Sequence, residues 1–240
     1  MTSLFVRVDP LTLLRQPGGL DPEPAVAAPL AELAGAEGVS ATCGREPGRV
    51  QERDLRLLRE VVRGVLNVCL PPADEYVKLA LALRPDMVTF VPESREGQES
   101  ARGLDVEDRR GELTPWVQAL QAGGVHAAAL VDPAPAQVKA AQRLGIGTVL
   151  LHTGRLVWAG SASARASEYE ALLNAAKVAH RLGLIVHAGG GLGYQSVRAV
   201  AEVEEVAAVH VGHALAARAL LVGMPEAVRE LLRLLGGARP

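Results

Sequence analysis

The chain has 240 residues, 49% of them apolar but only 3% aromatic, and a formal net charge of -2. That length suits one barrel-sized domain of about 250 residues, with a core filled by Leu, Val and Ala instead of large rings. Interleaved charges of both signs exclude the basic stripe of a nucleic-acid binder and the polybasic run of a membrane-surface protein, and no apolar stretch reaches the roughly 18 residues of a membrane span.

In chain order, short aliphatic runs alternate with helix-length amphipathic stretches. Leu4–Val8 reads as a strand, and Pro24–Leu33 as a helix. The pairs that follow are Gly38–Thr42 with Glu52–Val62, Val65–Leu70 with Ala73–Leu83, and Met87–Val91 with Arg109–Ala122. Then come His126–Val131 with Pro135–Leu144, Thr148–His152 with Ala166–Leu182, Leu184–Ala188 with Tyr194–Val203, and Ala207–Val211 with Ala214–Val222. A last helix spans Pro225–Leu235. Eight strand–helix alternations predict parallel strands closed into a single (β/α)8 TIM barrel with extra helices, over residues 1–240. Asp21 and Asp54 near helix starts, and Gly183 after a helix, read as caps. Two strand-to-helix connections are long, from Pro92 to about Glu107 and from Thr153 to about Arg165. In a barrel both lie on the face where loops build function. The first carries Glu93 and Arg95, read as a structural ion pair or as ligand contacts.

The strongest chemical signal is His187-Ala-Gly-Gly-Gly-Leu-Gly-Tyr194, which follows a strand and opens a helix. Glycines let backbone N–H groups approach an anion closely, and a helix N-terminus adds partial positive charge. The next strand ends in His210-Val-Gly212-His213-Ala and opens another helix. Turns after strands seven and eight are the usual phosphate site of this fold, so Gly190, Gly191, Gly212 and His213 are expected to contact a phosphorylated small molecule. The alternative is a pair of tight structural turns.

His152, His187 and His210 close strands six, seven and eight and are expected to crowd one sector of the mouth. Imidazoles there can hold an anion, shuttle a proton, ligate a metal or bond a backbone carbonyl. Zinc would need three or four converging ligands, with Asp9 or Cys69 completing the set, and no metal is assigned. Asp9 ends strand one as a buried acid or a loop cap. Cys43 and Cys69 end strands two and three, as packing residues or a reactive pair. Two cysteines are too few for a disulfide framework, and the first strand opens without a basic leader. The expected location is therefore the cytoplasm. Trp116 and Trp158 offer apolar area for the core or for subunit contact.

Beyond these readings the chain resembles the pyridoxine 5′-phosphate synthase family of vitamin B6 biosynthesis. The resemblance is carried by Val8-Asp9, Asp54-Leu-Arg-Leu-Leu-Arg59, Val91-Pro-Glu93, Gly103-Leu-Asp-Val106, His152-Thr-Gly154, Ala188-Gly189, Gly191-Leu192 with Tyr194, and Gly212-His213-Ala214. It implies a barrel that assembles as a homo-oligomer, from dimer up to octamer. It also implies a cofactor-free condensation of 3-amino-2-oxopropyl phosphate with 1-deoxy-xylulose 5-phosphate. Gly191, Gly212 and His213 match the family's aminoketone-phosphate contacts. The family's acid–base positions fall instead at Thr42, Cys69 and Gly190, its strand-six glutamate at Leu150, and its deoxyxylulose-phosphate contacts at Gly44 and Arg49. Arg7, His187 and His210 stand where the family usually has asparagine. Together with Asp9, Arg7 and His210 are expected to help hold the ligand, and any surviving proton transfer falls to His152, His187 or Cys69.

Overall fold

The computed structural model describes residues 2–16, 18–44, 49–93 and 102–236. Eight parallel strands close into a barrel in sequence order. They are β1 (Ser3–Arg7), β2 (Gly38–Thr42), β3 (Val65–Leu70), β4 (Met87–Phe90), β5 (His126–Val131), β6 (Thr148–His152), β7 (Ile185–Gly189) and β8 (Val206–Val211). The helices around them are α1 (Asp9–Thr12), α2 (Pro24–Leu33), α3 (Glu52–Val61), α4 (Asp74–Leu83), α5 (Arg110–Ala122), α6 (Pro135–Arg143), α7 (Gly154–Val157), α8 (Ala162–Arg181), α9 (Val197–Ala201), α10 (His213–Val222) and α11 (Met224–Leu234). Among the described residues no helix is long and apolar enough to cross a membrane.

Strands buried on both faces read as nearly continuous apolar runs, and their two faces do different work. One set of alternating residues, including Val6, Val39, Val68, Val88, Leu151 and Val209, packs outward into the large core under the helices. The other set points into the barrel. Phe5, Met87, Ala128 and Ala208 come from four strands yet form a separate apolar group near the N-terminal ends. Cys69, Val91, Leu130 and Leu150 form a second group toward the C-terminal ends. Gly38 is glycine because the Phe5 ring occupies its side-chain space: a Cβ there would lie 2.4 Å from Phe5 Cε1.

The resemblance motif on α3 is a structural joint. Leu55 and Leu58 enter the core, and Asp54 accepts two hydrogen bonds from the Arg15 guanidinium, at 2.8 and 2.9 Å. Asp54 also accepts from the Gln51 N–H at 3.1 Å, so it does cap α3. Burial pushes its carboxyl up, but Arg15 and the N–H outweigh that and hold it below the usual carboxylate range. Asp21 is not a cap: the residue before α2 is Glu23, and it makes no side-chain capping bond. Gly183 follows α8 with a positive φ of 76°, a left-handed conformation suited to a helix stop.

Two loops differ from the expectation. The connection after β6 is largely helical: α7 fills Gly154–Val157, and α8 begins at Ala162 because the Ser161 hydroxyl accepts the Ala164 N–H at 3.1 Å. At the other site α9 is shorter than its apolar period, since the segment from Gly193 to Ser196 forms a hydrogen-bonded turn. After β4, Glu93 is exposed and Arg95 lies outside the described residues. Beyond them, Gly103 packs on β5: its N–H donates to Asp132 at 2.8 Å, and a Cβ would sit 2.2 Å from the Asp132 nitrogen.

Candidate functional site

The mouth of the barrel is formed where β1, β6, β7 and β8 end. Gly190 and Gly191 follow β7 with φ of 107° and 72°, backbone that L side chains rarely adopt. The turn they open is tied down on both sides. Thr153 donates through its N–H to Gly189 O at 2.8 Å and through its hydroxyl to Gly190 O at 2.6 Å. Tyr194 donates its phenol to Ala227 O at 2.8 Å, and burial followed by the Glu230 charge pushes that phenol up to about 12.

The β8 corner meets this turn edge to edge. A Cβ on Gly193 would lie 2.9 Å from the Ala214 Cβ in the first turn of α10. Gly212 lies against β1, its Cβ position 3.0 Å from Arg7 Cβ and 3.4 Å from Pro10 Cγ. Gly190, Gly191, Gly212, His213 and the Arg7 stem therefore lie in one sector of the mouth. His213 is exposed as the first residue of α10, where the opening N–H groups of a helix have no partner within it. The Gly193 N–H is taken by Ser196 Oγ at 3.0 Å. No acceptor among the described residues takes the N–H of Gly191 or Leu192.

Arg7 and Asp9 form a latch between β1 and β2. Arg7 Nη2 lies 2.8 Å from Asp9 Oδ2 and 2.7 Å from Thr42 Oγ1, and the other Asp9 oxygen accepts the Thr42 N–H. Asp9 is thus both the buried acid and the start of α1. Its carboxylate pairs with the Arg7 guanidinium, which also reaches Thr42 on β2, while the Arg7 stem lies against Gly212.

The histidines separate into a pair and a single ring. His187 Nδ1 and His210 Nε2 are 3.0 Å apart, and both imidazoles contact Phe5, with His210 stacked on it at a centroid distance of 4.7 Å. The pair continues as a chain across the barrel interior. His210 Nδ1 meets Ser40 Oγ at 3.0 Å, Asn67 Nδ2 donates to Ser40 Oγ at 3.2 Å, and the Thr89 hydroxyl donates to Asn67 Oδ1 at 2.8 Å. Burial, with the His126 charge second, lowers His187 to about 4. Burial, then His187 and Arg7, lowers His210 well below the usual imidazole range. Both are neutral at pH 7, so the expectation that these two positions add cationic, anion-holding charge is corrected. They belong to a buried hydrogen-bonded core, where each polar group needs a partner.

His152 stands apart from the pair. Its ring packs on two glycines, with Nε2 2.9 Å from a Cβ position on Gly190 and Cε1 2.6 Å from one on Gly154. Among the described residues no three His, Cys, Asp or Glu side chains converge in a way that could hold a metal. Cys69 is buried in the apolar group with Val91, Leu130 and Leu150, and Asn67 Nδ2 donates to its sulfur at 3.7 Å. Cys43 packs in the outer core. Trp116 is bonded to Asp74 on α4 and belongs to the helix layer.

The chain Ser40–Asn67–Thr89 was not singled out from the sequence. Its signal was present as polar residues at inward positions of otherwise apolar strands. The placement of Trp158 beside Gly191 had no sequence signal.

Comparison with known proteins gives the following. Residues 4–237 match a family model described as pyridoxal phosphate biosynthesis protein PdxJ. The chain is 41% identical to the pyridoxine 5′-phosphate synthase of Syntrophotalea carbinolica, covering 99% of this chain and 100% of that one. It is 40% identical to the enzyme of the same name from Syntrophobacter fumaroxidans, at 99% and 100% coverage. Among solved structures it resembles the phosphoribosyl anthranilate isomerases of Thermococcus kodakaraensis, with a TM-score of 0.64 at 13% identity, and of Thermotoga maritima, with 0.62 at 14%. Each alignment covers 99% of this chain and 100% of the other, and at such identities it speaks for the shared barrel alone.

Proposed function

Because this chain belongs to the pyridoxal phosphate biosynthesis protein PdxJ family, we propose that it is a pyridoxine 5′-phosphate synthase-like barrel that binds a phosphorylated small molecule and turns over the family substrates weakly or in altered form. The relatives are named for pyridoxine 5′-phosphate synthesis, and the reaction that the resemblance implies is condensation of 3-amino-2-oxopropyl phosphate with 1-deoxy-xylulose 5-phosphate, without a cofactor. The observation that carries the binding half is the meeting of the two glycine corners at Gly193 and Ala214, with His213 at the head of α10 and Arg7 beside Gly212. Backbone N–H groups and a helix N-terminus hold a phosphate there, Arg7 adds charge, and Asp9 pairs with Arg7.

The catalytic half is weakened by what stands at the acid–base positions of the resemblance, Thr42, Cys69 and Gly190. A hydroxyl and a glycine exchange no protons near neutral pH. Each missing group removes about 10²- to 10⁴-fold of rate. The proton traffic that remains is assigned to His152 at the mouth, with His187 and Cys69 behind it. A non-catalytic phosphate-binding barrel is the second reading, favoured by the engagement of both His210 ring nitrogens with His187 and Ser40 in the barrel interior. We place the protein in the cytoplasm as a homo-oligomer.

Two measurements test the proposal. Calorimetric titration with inorganic phosphate and glycerol 3-phosphate is expected to show binding that His213→Ala weakens; unchanged affinity removes the site. Product formation from the two family substrates is expected to run at least about 10³-fold below that of a related synthase with the full acid–base set. A comparable rate removes the claim of altered activity.

A further inference from the structure

Trp158 is 60% exposed, and its indole lies against the glycines of two loops at the mouth. The ring spans two glycines on neighbouring loops. A Cβ on Gly191 would lie 2.7 Å from its Cζ2, and a Cβ on Gly154 2.6 Å from its Cζ3, so neither position admits a side chain while the indole is there. Its backbone is fixed. The Trp158 N–H donates to Gly154 O at 2.9 Å, Arg155 Nη2 and Glu168 Oε1 join α7 to α8 at 2.6 Å, and Ser161 caps α8. A large aromatic surface therefore touches glycines along one edge and is open to solvent elsewhere, directly on Gly191, whose N–H has no acceptor among the described residues.

We propose that Trp158 is a ligand-stacking residue: the open part of its indole forms the apolar wall of the phosphate corner and selects phosphate esters that carry a flat ring over acyclic ones. The inference rests on reading the Gly191–His213 sector as the phosphate site. The phosphate fixes one end of the ligand on backbone N–H groups, which are indifferent to what the phosphate is attached to. Selection must then come from whatever surface meets the attached carbon skeleton. An indole offers dispersion and quadrupole attraction to a planar ring and much less to a flexible polyol chain. Stacked aromatic pairs change binding by about two- to tenfold, which is the size of preference expected here.

The test uses three probes on the full chain by calorimetry: inorganic phosphate, glycerol 3-phosphate and benzyl phosphate. The wild type is expected to bind benzyl phosphate several-fold more tightly than glycerol 3-phosphate. Trp158→Leu, which keeps apolar bulk, is expected to bring that ratio to within about twofold while leaving inorganic phosphate affinity unchanged; Trp158→Phe is expected to retain most of the preference. In a Trp116→Phe background Trp158 is the sole remaining indole of the chain's two tryptophans, and its emission is expected to change with benzyl phosphate more than with inorganic phosphate. Equal ratios in the wild type and Trp158→Leu, with inorganic phosphate still bound, overturn the stacking role and leave the corner intact. A Trp158→Leu chain whose sedimentation mass drops while the ratio is kept assigns the indole to subunit contact and also overturns it. No binding of any probe by the wild type removes the phosphate corner and the stacking role together.

Discussion

Acidification should destabilise this barrel through the histidines in its interior. His187 falls from 6.5 to about 4 on folding because burial opposes its charged form. The unfolded chain therefore binds a proton between those values that the folded chain does not, and stability rises with pH across that window. The contribution is complete above pH 6.5 and is lost as pH falls toward 4. At 1.36 kcal/mol per pH unit the loss is about 3 kcal/mol for His187 alone. His210 is lowered in the same direction and extends the loss further into acid. Carboxylates do not mimic the effect above pH 5: Asp54 and Asp86 are held below the usual 3.8, so their share is lost only at lower pH. His126 is also lowered by burial and acts in the same direction; it is present in both the wild type and His187→Asn/His210→Asn, so the comparison reports chiefly the two replaced rings. Asparagine keeps polar atoms for Ser40 and for the neighbouring position, and it carries no titratable proton. Urea unfolding at pH 7.0, 6.0, 5.0 and 4.5, extrapolated to water, is expected to show the wild type losing more than the double variant over that range by at least the about 2 kcal/mol that His187 supplies, with His210 adding to it. Parallel curves would refute the assignment of these imidazoles as buried and neutral.

Other outcomes follow from particular contacts. Gly38→Ala places a methyl on the Phe5 ring, 2.4 Å from Cε1, and is expected to cost about 1–3 kcal/mol in urea unfolding; a neutral effect would mean that the ring can move aside. Asp54→Ala strands the Arg15 guanidinium, whose side chain is only 11% exposed, and is expected to cost about 3 kcal/mol, recovered in part by adding Arg15→Leu. Leu33 and Leu221, 82% and 79% exposed, belong to an apolar face that α2 and α10 share with a groove lined by Val26, Leu30 and Leu220. Leu33→Glu/Leu221→Glu tests whether this face joins subunits, a lower sedimentation mass being the expected outcome; an unchanged mass counts against a subunit contact there.

Most of the fold was legible before any coordinates, because alternation is a local property. β-branched and aliphatic runs of four to six residues cannot satisfy their backbone alone, and the amphipathic stretches between them cover both ends of each crossover. Strands such as Gly38–Thr42 and Thr148–His152 lie where their residue types put them. The failures came where a few residues compete on close terms. α7 hides in a glycine-led, apparently irregular loop, and α9 loses its first turn to the Gly193–Ser196 hydrogen bond.

Residue order also sufficed for the glycine corners, since positive φ at Gly190 and Gly191 and a helix opening after β8 are written in the residues themselves. Charge and partnership were not. Whether His210 is a cation at the mouth or a neutral ring on Phe5 depends on how deep its strand position sits and on which of eight strands faces it across the barrel. Those distances exist only after closure, because residues as far apart as Ser40 and His210 become neighbours solely when the first and last strands meet.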